Sequence, residues 1–341
     1  MALFLIGLGI YGIEGMPYKL KRVATSCKTL YLEDYTAYVP NKLIDLLSGE
    51  LNKPIIRVGR PFLEDGDELL RQAKQDDIVL LVYGDPLIAT THLQLILRAL
   101  AQGVRVKVMH NSSILNLAYG GLGLQPYRFG RFVTLTRSLA PPLTAYMVLH
   151  TNLANNLHTL MLLEYAPGTD ILTPAECLNL LQKAEEQLGL GIINADLFVI
   201  ALCGYEEETQ IKAGTLGELA KMRFGLGQYS LIIPARLHFM EEEAIKRLCG
   251  YDAPIPDNTQ RVVPVWRKIL EPRLAEVRQA LTKLYEQKGS RGVYTLLEKA
   301  QTYYDDIDRY IKEGRAELAI LTLGRLEGLL ESHSSHLKVS S

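Results

Sequence analysis

Cysteine is scarce and scattered in this chain: Cys27, Cys177, Cys203 and Cys249 are the only four in 341 residues. None forms a Cys-x-x-Cys pair, so the pattern offers neither a zinc-ligand spacing nor a disulfide framework. A reducing cytoplasm is the simplest compartment for such a chain. Net charge is also missing. The 37 Lys and Arg residues against 38 Asp and Glu leave a formal charge of -1. No global field therefore draws the protein to nucleic acid or to an anionic membrane surface. Long apolar runs are absent as well, and nothing approaches the ~20 residues needed to span a bilayer. The N-terminal run Ala2-Leu3-Phe4-Leu5-Ile6 has no basic region before it and is cut by glycines. It reads as a strand rather than a signal peptide. Tandem repeats and low-complexity tracts are not found.

What is present is an ordinary globular composition, 48% hydrophobic, in a chain long enough for two or three domains. Its organising stretch runs from Tyr83 to Leu95. Before it, Ile78-Val79-Leu80-Leu81-Val82 is too short for a helix and rich in β-branched residues. That is the pattern of a strand buried on both faces of a parallel sheet. Gly84-Asp85-Pro86 breaks the strand. Thr90 or Thr91 is placed to cap a helix that buries Leu93, Leu95, Ile96 and Leu100. Asp85 then lies just beyond the carboxyl end of a strand, where open α/β sheets bind ligands. The same three residues also make a plain turn.

The first strand, Leu3 to Leu8, runs into Gly7-Leu8-Gly9-Ile10-Tyr11-Gly12, with Glu33 near the end of the next strand. This is formally a dinucleotide fingerprint. In that fingerprint, however, the glycines open a helix that holds pyrophosphate. Here they run into Ile13-Glu14-Gly15-Met16-Pro17, a poor helix start beside a carboxylate. A glycine loop that lets a ligand approach the backbone, without phosphate, fits better.

Strand and helix patterns alternate to about residue 250, which gives an α/β class. Gly120-Gly121-Leu122-Gly123 interrupts them and divides residues 1–122 from residues 123–252. The segment from Asp252 to Asn258, with two prolines, reads as a linker. Residues 262–332 carry amphipathic helical stripes and form an all-helical appendage, with Pro272 an awkward break in the first helix. Glu206-Glu207-Glu208 and Glu241-Glu242-Glu243 read as solvated faces. His92 and His238 are candidates for a base or for a structural role. Asp305, Asp306 and Asp308 lack the glycine and terminal glutamate of a calcium loop.

Several segments together resemble the diphthine synthase class of the tetrapyrrole methylase superfamily. They are Phe4-Leu5-Ile6-Gly7-Leu8-Gly9-Ile10, the run from Gly84-Asp85-Pro86 to Ala89-Thr90-Thr91-His92, Asn111-Ser112-Ser113-Ile114, Tyr127-Arg128-Phe129-Gly130, Ile211-Lys212-Ala213-Gly214 and Pro234-Ala235-Arg236-Leu237-His238. The resemblance covers roughly residues 1–249. It implies a two-domain tetrapyrrole-methylase-like fold and a homodimer. It also implies S-adenosylmethionine as cofactor, and methylation of the amino group of a modified histidine on translation elongation factor 2. Carried over position by position, it implies cofactor contacts at Ile10, Asp85, Ile88, Ser113, Ile114, Leu163, Gly204 and Tyr229. Tyr229 stands where related sequences can carry histidine, and Cys203-Gly204-Tyr205-Glu206 departs from the expected pattern. The resemblance names no catalytic residue and no metal.

Overall fold

The computed structural model describes residues 1–168, 171–203, 210–225, 227–263, 265–286, 291–313 and 315–339. They form two compact units, Met1–Val262 and Val263–Ser341.

The larger unit starts with an alternating series: β1 (Ala2–Gly7), α1 (Tyr18–Ser26), β2 (Thr29–Glu33), α2 (Asn41–Leu51), β3 (Ile55–Val58), α3 (Arg60–Asp65), α4 (Asp67–Ala73), β4 (Ile78–Val82), α5 (His92–Ala101) and β5 (Arg105–Met109). The strands make one parallel sheet in the order β3-β2-β4-β1-β5. The period-2 alternation of strand side chains sorts them to its two faces. Phe4, Ile6, Val79 and Leu81 pack under α1 and α2. Leu3, Leu5, Ile78, Leu80 and Val82 pack under α4 and α5. Each fully buried Leu or Ile contributes ~1.5–3 kcal/mol of transfer free energy, so this double-sided core fixes where β1 and β4 end.

The second half holds α6 (Ile114–Asn116), β6 (Val133–Leu135), α7 (Leu143–Ala154), β7 (Thr159–Leu163), α8 (Pro174–Leu188), β8 (Phe198–Cys203), β9 (Gln210–Thr215), α9 (Leu216–Leu219), β10 (Ser230–Ile233) and α10 (Phe239–Cys249). Its sheet has the order β6-β7-β10-β8-β9 and is antiparallel except for the β6–β7 pair. The fully buried β8 alternates in the same way. Val199, Ala201 and Cys203 join one core, while Phe198, Ile200 and Leu202 join the other. Thr173 and Glu176 form a capping box that starts α8.

The smaller unit packs α11 (Val265–Glu286), α12 (Arg291–Lys312) and α13 (Ala316–Val339) around one core. Leu270, Leu274 and Val277 face Leu297, Ala300 and Ile307, and Leu323, Leu326 and Leu330 complete the centre. Burial of this stripe carries α11 through Pro272 despite the lost N–H.

Three local expectations differ from the structure. On α5 the buried stripe is His92, Leu95, Ile96 and Ala99, while Leu93 and Leu100 are exposed. The helix carries two apolar stripes at i, i+4, i+7 spacing, and the leucines of the second stripe point outward. The segment read as a linker is packed: Asn258 is buried, and its amide bonds Phe198 N, Phe198 O and Pro234 O at 3.0, 2.9 and 2.8 Å. Glu241, placed on a solvated face, is fully buried.

Candidate functional site

The glycine loop and the Gly-Asp-Pro loop leave neighbouring parallel strands and are joined main chain to main chain. Gly9 N donates to Gly84 O and Gly84 N donates to Gly9 O, both at 3.1 Å. Sequence dictates the closeness. A Cβ on Gly7 would lie 2.6 Å from Gly84 O, so no side chain fits there. Gly84 has φ +79°, a left-handed conformation that glycine adopts without strain.

The segment after β5 fastens both loops. Ser112 Oγ accepts from Ile10 N at 3.2 Å, and Asn111 Nδ2 donates to Gly7 O at 3.0 Å. Asp85 is almost fully buried. Its carboxylate accepts from Leu87 N at 2.9 Å, His110 Nδ1 at 2.9 Å and Asn111 N at 3.2 Å. Tyr83 donates its hydroxyl to Ile10 O at 2.9 Å. Ser113 caps α6 by accepting from Leu115 N, in a capping box with Asn116.

A third wall comes from the turn after β2. Glu33 is fully buried and its carboxylate accepts from Tyr35 N, Thr36 N and Thr36 Oγ1 at 2.6, 2.5 and 2.5 Å. Burial raises its pKa against these bonds. Tyr35 hydrogen-bonds Thr91 Oγ1 at 2.9 Å, and its ring meets His92 edge-on. His92 is itself buried. Its Nδ1 lies 2.9 Å from Pro86 O, so it ties this wall to the Gly-Asp-Pro loop. Gln228 reaches across from the second sheet. Its Oε1 accepts from Tyr38 N at 2.9 Å and its Nε2 donates to Leu163 O at 3.1 Å.

Between the strand ends of the first sheet and the edge formed by β6, β7 and β10 lies a cavity of about 390 Å³. That volume suits a nucleoside-sized ligand. Of the residues implied by resemblance, Ile10, Asp85, Ile88, Ser113, Ile114 and Leu163 all line it. Tyr229 does not: its side chain is buried in the second domain's core, with the hydroxyl donating to Gln210 Oε1 at 2.6 Å. The lining at this point comes from its neighbours Gln228 and Ser230, because adjacent side chains of an extended segment face opposite ways. Gly204 and Glu206-Glu207-Glu208 lie outside the described residues. Among the described residues the wall has three charged side chains, Arg60, Asp85 and Glu164, and the rings of Tyr35, Tyr38, Tyr83 and Tyr165. Carboxylates and aromatic faces suit a sulfonium cation. A Cβ on Gly84 would meet only Ser113 Cα, at 3.9 Å, so the backbone there stands open to a bound molecule. These residues fit S-adenosylmethionine. Among the described residues no cluster of His, Cys, Asp or Glu could hold a metal.

The narrower segments meet elsewhere. Arg128 of Tyr-Arg-Phe-Gly donates to the Glu241 carboxylate, which also accepts from His158 Nε2 at 3.2 Å, Gln125 N at 3.0 Å and His238 N at 2.9 Å. Burial pushes this carboxyl up, but the His158 bond and the two backbone N–H groups outweigh it and hold the pKa at about 2. Ala235 N donates to His158 Nδ1 at 2.9 Å, which leaves the proton on Nε2 and the ring neutral. Burial also lowers the His158 pKa. His238 caps α10, accepting from Met240 N. These residues are architectural, and none lines the cavity. Sequence reasoning named the segments holding Tyr83, Asn111 and Ser112 but assigned these residues no role, and it missed Gln228, whose partners Tyr38 and Leu163 are distant in the chain.

Residues 2–220 match the family model of the Tetrapyrrole (Corrin/Porphyrin) Methylases. The chain is 34% identical to the diphthine synthase of Methanothermobacter thermautotrophicus, covering 73% of this chain and 96% of that one. It is 35% identical to the diphthine methyl ester synthase of Eremothecium gossypii, covering 71% and 88%. A crystal structure of a putative diphthine synthase from Entamoeba histolytica superposes with a TM-score of 0.65 at 30% identity, covering 72% and 98%. Helices α11 to α13 lie beyond the matched region. On cavity, loops and relatives together, the chain belongs to the tetrapyrrole (corrin/porphyrin) methylase family, in its diphthine synthase branch.

Proposed function

We propose that the protein transfers methyl groups from S-adenosylmethionine to the amino group of 2-(3-amino-3-carboxypropyl)histidine on translation elongation factor 2. The product is diphthine, in the biosynthesis of diphthamide. The observation that carries this reading is the convergence of the glycine loop, the Gly-Asp-Pro loop and Ser113-Ile114 on one cavity. Ile10, Asp85, Ile88, Ser113, Ile114 and Leu163 are the proposed cofactor contacts. Gly204 and Tyr229 enter only as family positions, with Tyr229 acting through its backbone or its neighbours.

S-adenosylmethionine supplies a methyl already activated on a sulfonium. The chain's residues supply alignment and dryness. Main-chain groups pinned by Gly9 and Gly84 hold one side of the cavity at fixed geometry, which lowers the barrier by orientation. Apolar Ile10, Ile88 and Leu163 exclude water, and desolvation favours the neutral, attacking amine over its ammonium form. As the C–N bond forms and the S–C bond breaks, the positive charge passes from sulfur to nitrogen. Asp85 and Glu164, both in the cavity lining, would favour a cation held there.

Incubation with labelled S-adenosylmethionine and elongation factor 2 carrying the aminocarboxypropyl-histidine precursor tests the reading. Label in the precursor-bearing factor supports it; label only in a corrinoid or porphyrin precursor refutes it. The chain pairs as a homodimer at micromolar concentration on this reading. Leu122 and Leu124 are buried within the chain and offer no surface for this pairing. The exposed Leu93, Leu97 and Leu100 stripe on α5 offers apolar surface instead. A monomer by light scattering would refute the dimer. No helix among the described residues is long and apolar enough to cross a membrane. The free thiols fit work in the cytoplasm, beside the translation factor.

A further inference from the structure

Among the described residues, the cavity wall holds one cation, Arg60. Arg60 opens α3, a short helix that sequence periodicity did not announce, with Pro61 fixing its first turn and Gly66 at φ 64° ending it. Its guanidinium lies 5.2 Å from the centre of the Tyr35 ring. Tyr35 is in turn held by Thr91 and His92, so Arg60 rests on a rigid shelf. It forms a loose i,i+4 ion pair with Glu64, whose carboxylate lies 3.7 Å from Nε, beyond hydrogen-bond distance. The guanidinium donates no hydrogen bond to any described residue, and its side chain is 61% exposed. The two wall carboxylates differ. Asp85 accepts from three N–H donors, and Glu164 Oε2 accepts from Arg137 N at 2.9 Å.

A planar fork of free donors beside an aromatic face is built for a carboxylate. The proposed substrate carries one, on the carbon that also bears the reacting amine. We propose that Arg60 binds the carboxylate of the aminocarboxypropyl group and so selects this amino acid side chain over ordinary amines such as lysine. The inference rests on the functional reading above. It has two physical consequences. Bidentate capture fixes the amine's carbon and so the direction from which nitrogen approaches the methyl. A fixed positive charge near the amine disfavours its ammonium form, so the neutral amine persists to lower pH. The methionine end of the cofactor also bears a carboxylate, and the experiment separates the two.

R60M and R60K are compared with wild-type full-length protein. Substrate is elongation factor 2 bearing the precursor, and cofactor affinity is read by calorimetry with S-adenosylhomocysteine. R60M should lose roughly 10- to 100-fold in kcat/KM, the range of a charge-assisted hydrogen-bonded pair. R60K, which keeps the charge but not the fork, should fall between. S-adenosylhomocysteine affinity should stay within threefold of wild type in both. The acid limb of the rate profile should move to higher pH in R60M and less in R60K. A purely structural role for Arg60 would not move that limb. Wild-type rates in R60M overturn the proposal. So does a rate loss matched by an equal loss of S-adenosylhomocysteine affinity, which would put Arg60 on the cofactor. Wild-type protein that leaves the precursor unmethylated overturns the functional reading itself, and this inference with it.

Discussion

Replacing Glu241 with glutamine keeps the shape of the buried hub and removes its charge. Arg128, only 16% exposed, then has no carboxylate beside it. Loss of one partner from a buried ion pair costs ~3–5 kcal/mol, because the remaining charge is left desolvated. The wild-type pH dependence gives a second measure. The folded carboxyl titrates at about 2 against 4.5 for an ordinary glutamate. Folding therefore favours the ionised form. This contribution is complete above pH 4.5 and is lost as pH falls towards 2, and the gap is worth ~3 kcal/mol. Other carboxyls titrate there too, so the quantity to read is wild type minus E241Q. Urea unfolding at several pH values, followed by hydrogen exchange of peptides from residues 1–262, keeps the helical unit's own transition out of the measurement. E241Q should be less stable by ~3–5 kcal/mol at pH 7, and the difference should shrink steadily below pH 4.5. Folded E241Q should still bind S-adenosylhomocysteine as wild type does, since no hub residue lines the cavity. A deficit below ~1 kcal/mol at pH 7, or one that does not change between pH 5 and pH 2, would refute the reasoning.

S-adenosylhomocysteine should raise the melting temperature and NAD should not; stabilisation by NAD alone would restore the dinucleotide reading. G7A should abolish S-adenosylhomocysteine binding, because the new Cβ meets Gly84 O at 2.6 Å and forces the two loops apart. G84A has space for its Cβ but takes a left-handed backbone at a cost of ~1–2 kcal/mol, so calorimetry should find it weakened rather than silent. A chain ending at Val262 should bind S-adenosylhomocysteine like the full chain. One ending at Asp257 should melt lower, because it loses Asn258 and leaves Phe198 N and O and Pro234 O without their partner. Equal melting of the two truncations would show that Asn258 is dispensable.

The sheet strands were legible because apolar runs and period-2 alternation are local signals. Ile78 to Val82 needed no partner to be recognised as a central strand. The loops at Gly7 and Gly84 were legible because glycine's backbone freedom marks them. Polar residues whose meaning depends on distant partners were not. Glu241 sits among two other glutamates and looks solvated until Arg128, 113 residues away, is placed against it. Asn258 stands near prolines and looks like linker until β8 lies beneath it. Leu93 and Leu100 fit a helical period as well as Leu95 and Ile96 do, and periodicity alone cannot rank two stripes on one helix. Tyr229 lies in an extended segment, where its side chain faces the core while those of Gln228 and Ser230 face the cavity.

The Gly9–Gly84 bridge is made only of main-chain atoms, so the side chains around it carry none of its specificity. The bridge requires glycine at positions 7, 9 and 84, where a Cβ would strike a neighbour or the backbone is left-handed. The floor of the cavity meets its rim through a few side-chain links, Tyr35 to Thr91 and His92 to Pro86 O. Substitutions that spare those links, in α3 or along the edge of the second sheet, can reshape what the cavity accepts while the main-chain bridge stays in place. A fold divided this way can change its acceptor molecule while keeping its methyl donor.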